Sequence, residues 1–159
     1  MYIRFSKNWT SLFSICQLFK CNSKAVLDIF KEITTIPRGS GHEEPMTRWL
    51  QDWAAARSLQ CKTDPTGNVL ITREADPGKE DVPAIVLQAH QDMVCEKNEG
   101  CAHDFAKDPI PFVVKDGWIV AEQTTLGADD GIGIAACLAL LECGRPMGKV
   151  ECLFTISEE

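Results

Sequence analysis

The feature that most constrains this chain is a pair of aspartates, Asp129 and Asp130, set between glycines directly before an apolar segment. Glycines at 127 and 131 permit a tight turn of the backbone. Residues 132–141 are apolar nearly all round, which predicts a buried helix. One carboxylate could cap that helix, because aspartate is favoured at helix N-termini. The second carboxylate is then free to bind a cation.

Two further polar segments each follow an apolar run that predicts a strand. His90 and Asp92 come after residues 84–89, a run typical of a central strand that is covered on both faces. Because side chains two apart share one face of an extended chain, His90 could bind a metal while Asp92 orients its ring. For an isolated His-x-Asp, however, we favour a solvated pair in a loop.

The second polar segment is the pair Glu158 and Glu159, which follows the apolar run 150–156. Adjacent side chains on an extended chain project in different directions. One carboxylate could therefore bind a metal while the other takes a proton from an activated water. A plain acidic loop is the common alternative for either pair alone. Together, the three segments predict a metal site at one edge of a sheet.

The composition excludes several other functions. Sixteen basic against twenty-three acidic residues give a net charge of −7, and no Lys/Arg cluster marks a nucleic-acid surface. No run reaches the roughly 18 apolar residues of a membrane span. The glycine spacings of dinucleotide-binding and phosphate-binding loops are absent, as is a G-x-S-x-G nucleophile motif. Eight cysteines without a C-x-x-C pair indicate free thiols in a reducing compartment.

Alternating strands and helices predict a single α/β layered domain. Helical spacing predicts one helix from Ser23 to about 33 and a second one that starts near residues 43–45. A hairpin is predicted around Asp116-Gly117, and a strand at 69–72. Residues 1–22 faintly imitate a signal peptide but lack a cleavage site, so we predict an unassigned N-terminal extension there.

Five motifs within residues 23–159 resemble the aminoacyl-histidine dipeptidases, also called cytosol nonspecific dipeptidases, which are co-catalytic zinc peptidases. They are IPRGSGHEE at 36–44, TGNV at 66–69, VLQAHQDMV at 86–94, HDFAKDPI at 103–110 and TTLGADDGIG at 124–133. The LGAD segment with His-x-Asp is shared across the wider family, whereas 90–98 and 103–110 point to the dipeptidase branch. Gln123 departs from the family, in which a glycine usually precedes Thr-Thr.

The resemblance implies an α/β zinc-peptidase catalytic domain with a central mixed sheet, of which residues 23–159 form the N-terminal part, incomplete at the C-terminus. It also implies two divalent metal ions, most of all zinc, with manganese or cobalt as options. His90 would bind one zinc, and Asp92 would orient the His90 ring. Asp129 would bridge both zincs, and the peptide bond between Asp129 and Asp130 would be cis. Glu159 would bind the second zinc. Glu158 would be the general base for a water activated between the two ions.

The implied activity is hydrolysis of dipeptides, Xaa-His and broader, in the cytoplasm, with a homodimer as an option for the full-length form. The family's remaining metal ligands and lid domain would lie beyond Glu159, so we expect this chain to be an inactive truncated piece. The alternatives are a non-enzymatic remnant and a sibling aminotripeptidase or aminoacylase activity. His42 is interpreted as a loop residue, and neither it nor His103 is an obvious replacement ligand.

Overall fold

The computed structural model describes residues 3–4 and 23–159 of the chain. The remainder of segment 1–22, which we predict to be an unassigned extension, lies outside the described residues. The helices are α1 (Ser23–Ile33), α2 (Glu44–Ala56) and α3 (Ala128–Leu141). The strands are β1 (Ile3–Arg4), β2 (Gln60–Thr63), β3 (Val69–Arg73), β4 (Ile85–His90), β5 (Phe112–Lys115), β6 (Trp118–Ala121) and β7 (Val150–Thr155).

The central sheet has four strands in the order β2-β3-β7-β4. Strand β3 runs antiparallel to β2 and β7, whereas β4 runs parallel to β7 with His90 opposite Thr155. The prediction of an α/β domain with a mixed sheet is therefore confirmed. Because β4 and β7 are parallel, their carboxyl ends lie side by side at one edge of the sheet, which is where ligands bind in open α/β folds.

Apolar side chains at helical spacing explain how the helices pack on this sheet. Helix α1 buries Ile29, Phe30 and Ile33 and lies against α3, which in turn packs on β4 and β7. Helix α2 buries Met46, Leu50, Trp53 and Ala54. Each buried Ile, Leu, Met or Phe side chain of this kind contributes about 1.5–3 kcal/mol when fully buried. Helix α3 is buried on most of its surface, as its uniformly apolar sequence predicts.

Two features of the sheet differ from the sequence-based expectations. Strand β4 was expected to be covered on both faces, but among the described residues it pairs only with β7, and Val86 is 62% exposed. Strand β2 was not predicted, because its residues are polar and mostly exposed and only Cys61 is half-buried. Its antiparallel pairing with β3 is what makes it a strand.

A second, smaller sheet has the order β1-β6-β5. The predicted hairpin is confirmed: β5 and β6 pair through a turn in which Asp116 and Gly117 both have positive φ, 53° and 79°. That backbone is the one an Asp-Gly hairpin turn requires. All six cysteines of the described residues are free. No helix in that part of the chain is long and apolar enough to cross a lipid bilayer.

Candidate metal centre

The three polar segments meet at the edge where β4 and β7 end. His90 is the last residue of β4 and is buried, with 6% of its surface exposed. Glu158 and Glu159 follow β7, and Asp129 lies in the turn that begins α3. Helix α3 packs on both strands, which brings its first turn to the same edge. The structure therefore gathers all of the residues predicted for the site.

The His90 ring lies at the centre of this group. Its Nε2 is 3.0 Å from Asp129 Oδ1 and 3.9 Å from Glu158 Oε2. Ligand atoms of His90, Glu158 and Glu159 all lie within 4.8 Å of one another. Burial alone would lower the pKa of His90, but the hydrogen bond to Asp129 and the charges of Asp130 and Asp92 outweigh it and raise the pKa.

The donor set fits a divalent metal. An imidazole nitrogen and carboxylate oxygens are ligands of zinc, at about 2.0–2.2 Å. The Asp129 and Glu158 side chains are 63% and 58% exposed, so they are open to an ion and to a substrate. Among the described residues, no lysine or arginine forms an ion pair with Asp129, Glu158 or Glu159. Small movements of these side chains would suffice to surround one ion.

The two aspartates of the turn have different tasks. Asp130 Oδ1 accepts a hydrogen bond of 3.1 Å from the Gly133 backbone N–H, which caps α3. Both aspartates have non-helical backbone angles, so regular helical geometry begins after them, and the Asp129 carboxylate meets His90 instead. Burial raises the pKa of Asp130, with the charge of Asp129 adding to the effect. The peptide bond between the two residues is cis, as the resemblance implies.

Asp92 connects the end of β4 to the residues after β7. It is fully buried, and its two carboxylate oxygens accept hydrogen bonds of 3.1 Å from the backbone N–H groups of Glu158 and Glu159. Although burial alone would raise the pKa of Asp92, these bonds and one from Ser40 bring it below its usual value. His90 Nδ1 lies 3.1 Å from the Asp92 main-chain oxygen and 3.4 Å from its carboxylate. Asp92 thus orients His90 mainly through its carbonyl.

Arg38 lies beneath the site, and the sequence did not indicate this role. It is 2% exposed and donates hydrogen bonds of 3.0 Å to the main-chain oxygens of Gln91 and Asp92. It also donates to the Gly127 carbonyl, directly before the Asp129 turn. Burial lowers the pKa of Arg38 to about 10, against the opposing charge of Asp92. Arg38 therefore ties the His90 segment to the Asp129 segment.

Gly127 is required for this close approach. Its φ is +65°, and a Cβ at this position would lie 2.5 Å from an Arg38 nitrogen and 2.6 Å from the Met93 sulfur. Only glycine fits such a space in this conformation without strain. The glycine before the aspartate pair, which the sequence indicated as a turn residue, thus leaves room for the buried guanidinium.

The other two histidines lie outside the ligand group. His42 is exposed in the loop before α2, where its backbone N–H donates to the Gly39 carbonyl. His103 is buried, and its ring lies edge-on to Phe105 with 4.5 Å between centroids. Among the described residues, neither histidine belongs to the group whose ligand atoms lie within 4.8 Å of one another, which is formed by His90, Glu158 and Glu159.

Comparisons with known proteins agree with the resemblance seen in the sequence. The chain is 41% identical over 144 residues to the cytosol non-specific dipeptidase of Escherichia coli K12, across 90% of this chain. The crystal structure of aminoacylhistidine dipeptidase from Vibrio alginolyticus matches 85% of the chain, with 45% identity and a TM-score of 0.81. A tripeptidase from Staphylococcus aureus matches 87%, with 27% identity and a TM-score of 0.72. No family model matches the sequence.

These relatives are much longer than the matched region. The chain spans 30% of the E. coli dipeptidase, 28% of the Vibrio chain and 37% of the S. aureus chain. Each match thus covers most of this chain but little more than a third, at most, of the relative.

Proposed function

We propose that this chain, a relative of the aminoacylhistidine dipeptidases by sequence and by fold, carries part of the active site of a metal-dependent dipeptidase. The observation that carries the proposal is the convergence of His90, Asp129, Glu158 and Glu159 at one edge of the sheet. The similarity to the two dipeptidases, over 90% and 85% of this chain, supports the same proposal. Neither observation alone would distinguish a peptidase from an acidic surface.

Two divalent metal ions, zinc first, are the proposed cofactors. His90 and Glu159 would hold one ion each and Asp129 would bridge the two, because their donor atoms are of the types that zinc takes. A bound metal of this kind supplies a Lewis acid that polarises a carbonyl and makes a water easier to deprotonate. Asp92 holds the His90 ring in place through its main-chain carbonyl.

Glu158 is the proposed general base. Its Oε2 lies 3.9 Å from His90 Nε2, and its side chain is 58% exposed, so it can meet a water and a peptide that enter from solvent. It would take a proton from the attacking water and later give it to the amine that leaves. The backbone N–H of Glu158 donates to Asp92. This hydrogen bond fixes the backbone from which the Glu158 side chain extends.

The proposed substrates are unblocked dipeptides, Xaa-His and broader, since the two relatives above 40% identity are named for dipeptides. Tripeptide cleavage is the second candidate, favoured by the match to the S. aureus tripeptidase. For location we propose the cytoplasm, because the E. coli relative is named for the cytosol. A homodimer stays a prediction, as does the division into an extension (1–22) and part of a catalytic domain (23–159).

The test is an assay of the complete reading frame that contains residues 1–159, with dipeptides, tripeptides and N-acyl amino acids as substrates. We expect dipeptides to be cleaved, chelator to abolish the activity, and zinc, manganese or cobalt to restore it. Cleavage of acylated amino acids alone would contradict the proposal. For residues 1–159 by themselves we expect weak metal binding and no measurable turnover, since the site is open and has only three or four metal donors.

A further inference from the structure

Glu43 is a buried carboxylate that accepts hydrogen bonds from a residue far away in the sequence, Ser157. It is 5% exposed, and its Oε1 accepts a hydrogen bond of 3.0 Å from the Ser157 backbone N–H. The same oxygen accepts from the Gly41 N–H at 3.0 Å and lies 3.4 Å from the Ser157 hydroxyl. Burying a carboxylate is costly unless hydrogen bonds compensate it, so these contacts hold Glu43 in one orientation.

Capping of its own helix does not explain this side chain. Glu43 occupies the N-cap position of α2, but its side chain makes no capping hydrogen bond. Its exposed neighbour Glu44 supplies the negative charge in the first turn. The positive end of the helix stabilises a carboxylate at this place. The Glu43 carboxylate is therefore fixed near the start of α2 and available to bind a partner from another segment.

The partner is the turn that leads into the two glutamates of the site. Ser157 has φ of +52°, a conformation that is uncommon for residues other than glycine and costs about 1 kcal/mol or more. On one side of it, the Ile156 N–H donates to Asn68 Oδ1 at 3.1 Å. On the other side, the N–H groups of Glu158 and Glu159 donate to Asp92. Glu43 holds the residue between these two anchors.

We propose that Glu43 is a positioning residue, whose carboxylate fixes the left-handed backbone at Ser157 and thereby directs Glu158 and Glu159 towards His90. A charged acceptor makes stronger hydrogen bonds with backbone N–H groups than a neutral one does, which suits a turn that is unfavourable by itself. The inference rests on the proposed function of the two glutamates, but its backbone part can be measured without any metal.

The experiment compares the 159-residue chain with Glu43→Asp, Glu43→Gln and the control Glu44→Gln. Glu43→Asp keeps the charge but withdraws the oxygen by one methylene, whereas Glu43→Gln keeps the reach and loses the charge. Amide hydrogen exchange by NMR follows the Ser157 N–H, calorimetry with Zn²⁺ alone follows metal affinity, and urea unfolding follows global stability. Glu44→Gln removes the same charge one residue away, at an exposed position.

We expect Glu43→Asp to speed exchange at Ser157, Glu158 and Glu159 and to weaken zinc binding by about tenfold, the usual cost of losing a group that orients a ligand. Glu43→Gln should lose less, because its amide oxygen can still accept, and Glu44→Gln should match the wild type. The inference would be overturned if Glu43→Asp had the same amide exchange rates and the same zinc affinity as Glu44→Gln. It would also be overturned by an increase in exchange spread evenly over β7 and α3, which indicates a general loss of stability.

The two proposals fail in different ways. If the wild-type chain binds no zinc, the metal site proposed for His90, Asp129 and Glu159 in this chain is contradicted, while the exchange rates still decide the role of Glu43. If zinc binds equally well to the wild type and to all three variants, the metal site stands and Glu43 is only part of the α2 fold. If Glu43→Asp does not fold, the same two readouts on Glu43→Gln decide the matter, since its side chain has the same size.

Discussion

Two arginines at opposite edges of the central sheet have similar hydrogen bonds but different surroundings. Arg38, at the edge where β4 and β7 end, binds the carbonyls of Gln91, Asp92 and Gly127. Arg73, where those two strands begin, binds the carbonyls of Leu141, Cys143 and Arg145. Each guanidinium thus connects the end of a strand to a segment that borders α3. Each also supplies hydrogen-bond donors to carbonyl groups of these loops, in place of backbone N–H groups that a loop cannot supply.

The difference lies in the carboxylates. Arg73 forms an ion pair of 2.8 Å with Asp76, which also accepts from the Met147 N–H at 2.8 Å. The charge at that edge is balanced internally. At the Arg38 edge, the ion pairs that the structure records for Asp129 and Glu158 involve only His90. One edge therefore serves to close the fold, and the other retains negative charge that can hold a cation.

The largest expected effect comes from removing each arginine. Arg38→Met should lower the free energy of unfolding by about 3–5 kcal/mol, because it leaves the buried carbonyls of Gln91, Asp92 and Gly127 without this donor, at about 1–3 kcal/mol each. Arg73→Met should cost about 1–2 kcal/mol, since its carbonyls lie where water can reach them. Urea denaturation of both variants checks this. Equal costs would show that the two edges do not differ in burial as described.

A smaller effect separates the two aspartates of the turn. Asp130→Ala should lower the free energy of unfolding by about 1 kcal/mol through loss of the helix cap, with zinc affinity largely retained. Asp129→Ala should leave stability nearly unchanged and weaken zinc binding at least tenfold. Thermal unfolding and zinc titration of both proteins make the comparison. If Asp129→Ala binds zinc as tightly as the wild type does, Asp129 is not part of the metal site.

How much of this site could be predicted from sequence depends on the range of the interactions. The aspartate pair, His-x-Asp and the adjacent glutamates were visible because each directly follows an apolar run or precedes one. The acceptors of Arg38, in contrast, lie 53, 54 and 89 residues further along the chain. The glycines that follow Arg38 are typical of a loop, and nothing local indicates that the Arg38 side chain is buried. Glu43 was hidden in the same way, 114 residues before Ser157.

The fold shows the same limit. Helices α1 and α2 and the β5–β6 hairpin were predicted, since helical spacing and an Asp-Gly turn are local signals. The position of β4 as the outermost strand of the central sheet was not predicted. An apolar run indicates that a strand is buried, but it does not show which strands pair with it. Strand β2 has no apolar alternation and exists through its pairing with β3.

The smallest effect concerns Asp64, in the turn next to Asn68 at the site edge. Hydrogen bonds from the Asn68 and Thr66 side chains hold the pKa of Asp64 well below the 3.8 of an unperturbed aspartate. Its stabilising contribution is therefore complete above pH about 4 and is lost as the pH falls through the lowered pKa. Asp64→Asn should lower stability at neutral pH and have a flatter acid limb, whereas Asp76→Asn serves as the comparison at the other edge. Parallel acid limbs in the wild type and Asp64→Asn would contradict this reading.

The most direct test of the metal centre is anomalous X-ray diffraction from crystals of the chain soaked in Zn²⁺, with data collected on both sides of the zinc absorption edge. We expect a peak about 2.1 Å from His90 Nε2, with Asp129, Glu158 or Glu159 completing the coordination. Crystals of the His90→Asn variant, soaked in Zn²⁺ in the same way, should lack that peak. A zinc ion bound at His103 or at the cysteines, with none at the edge where β4 and β7 end, would show that His90 and its neighbours are not the metal centre.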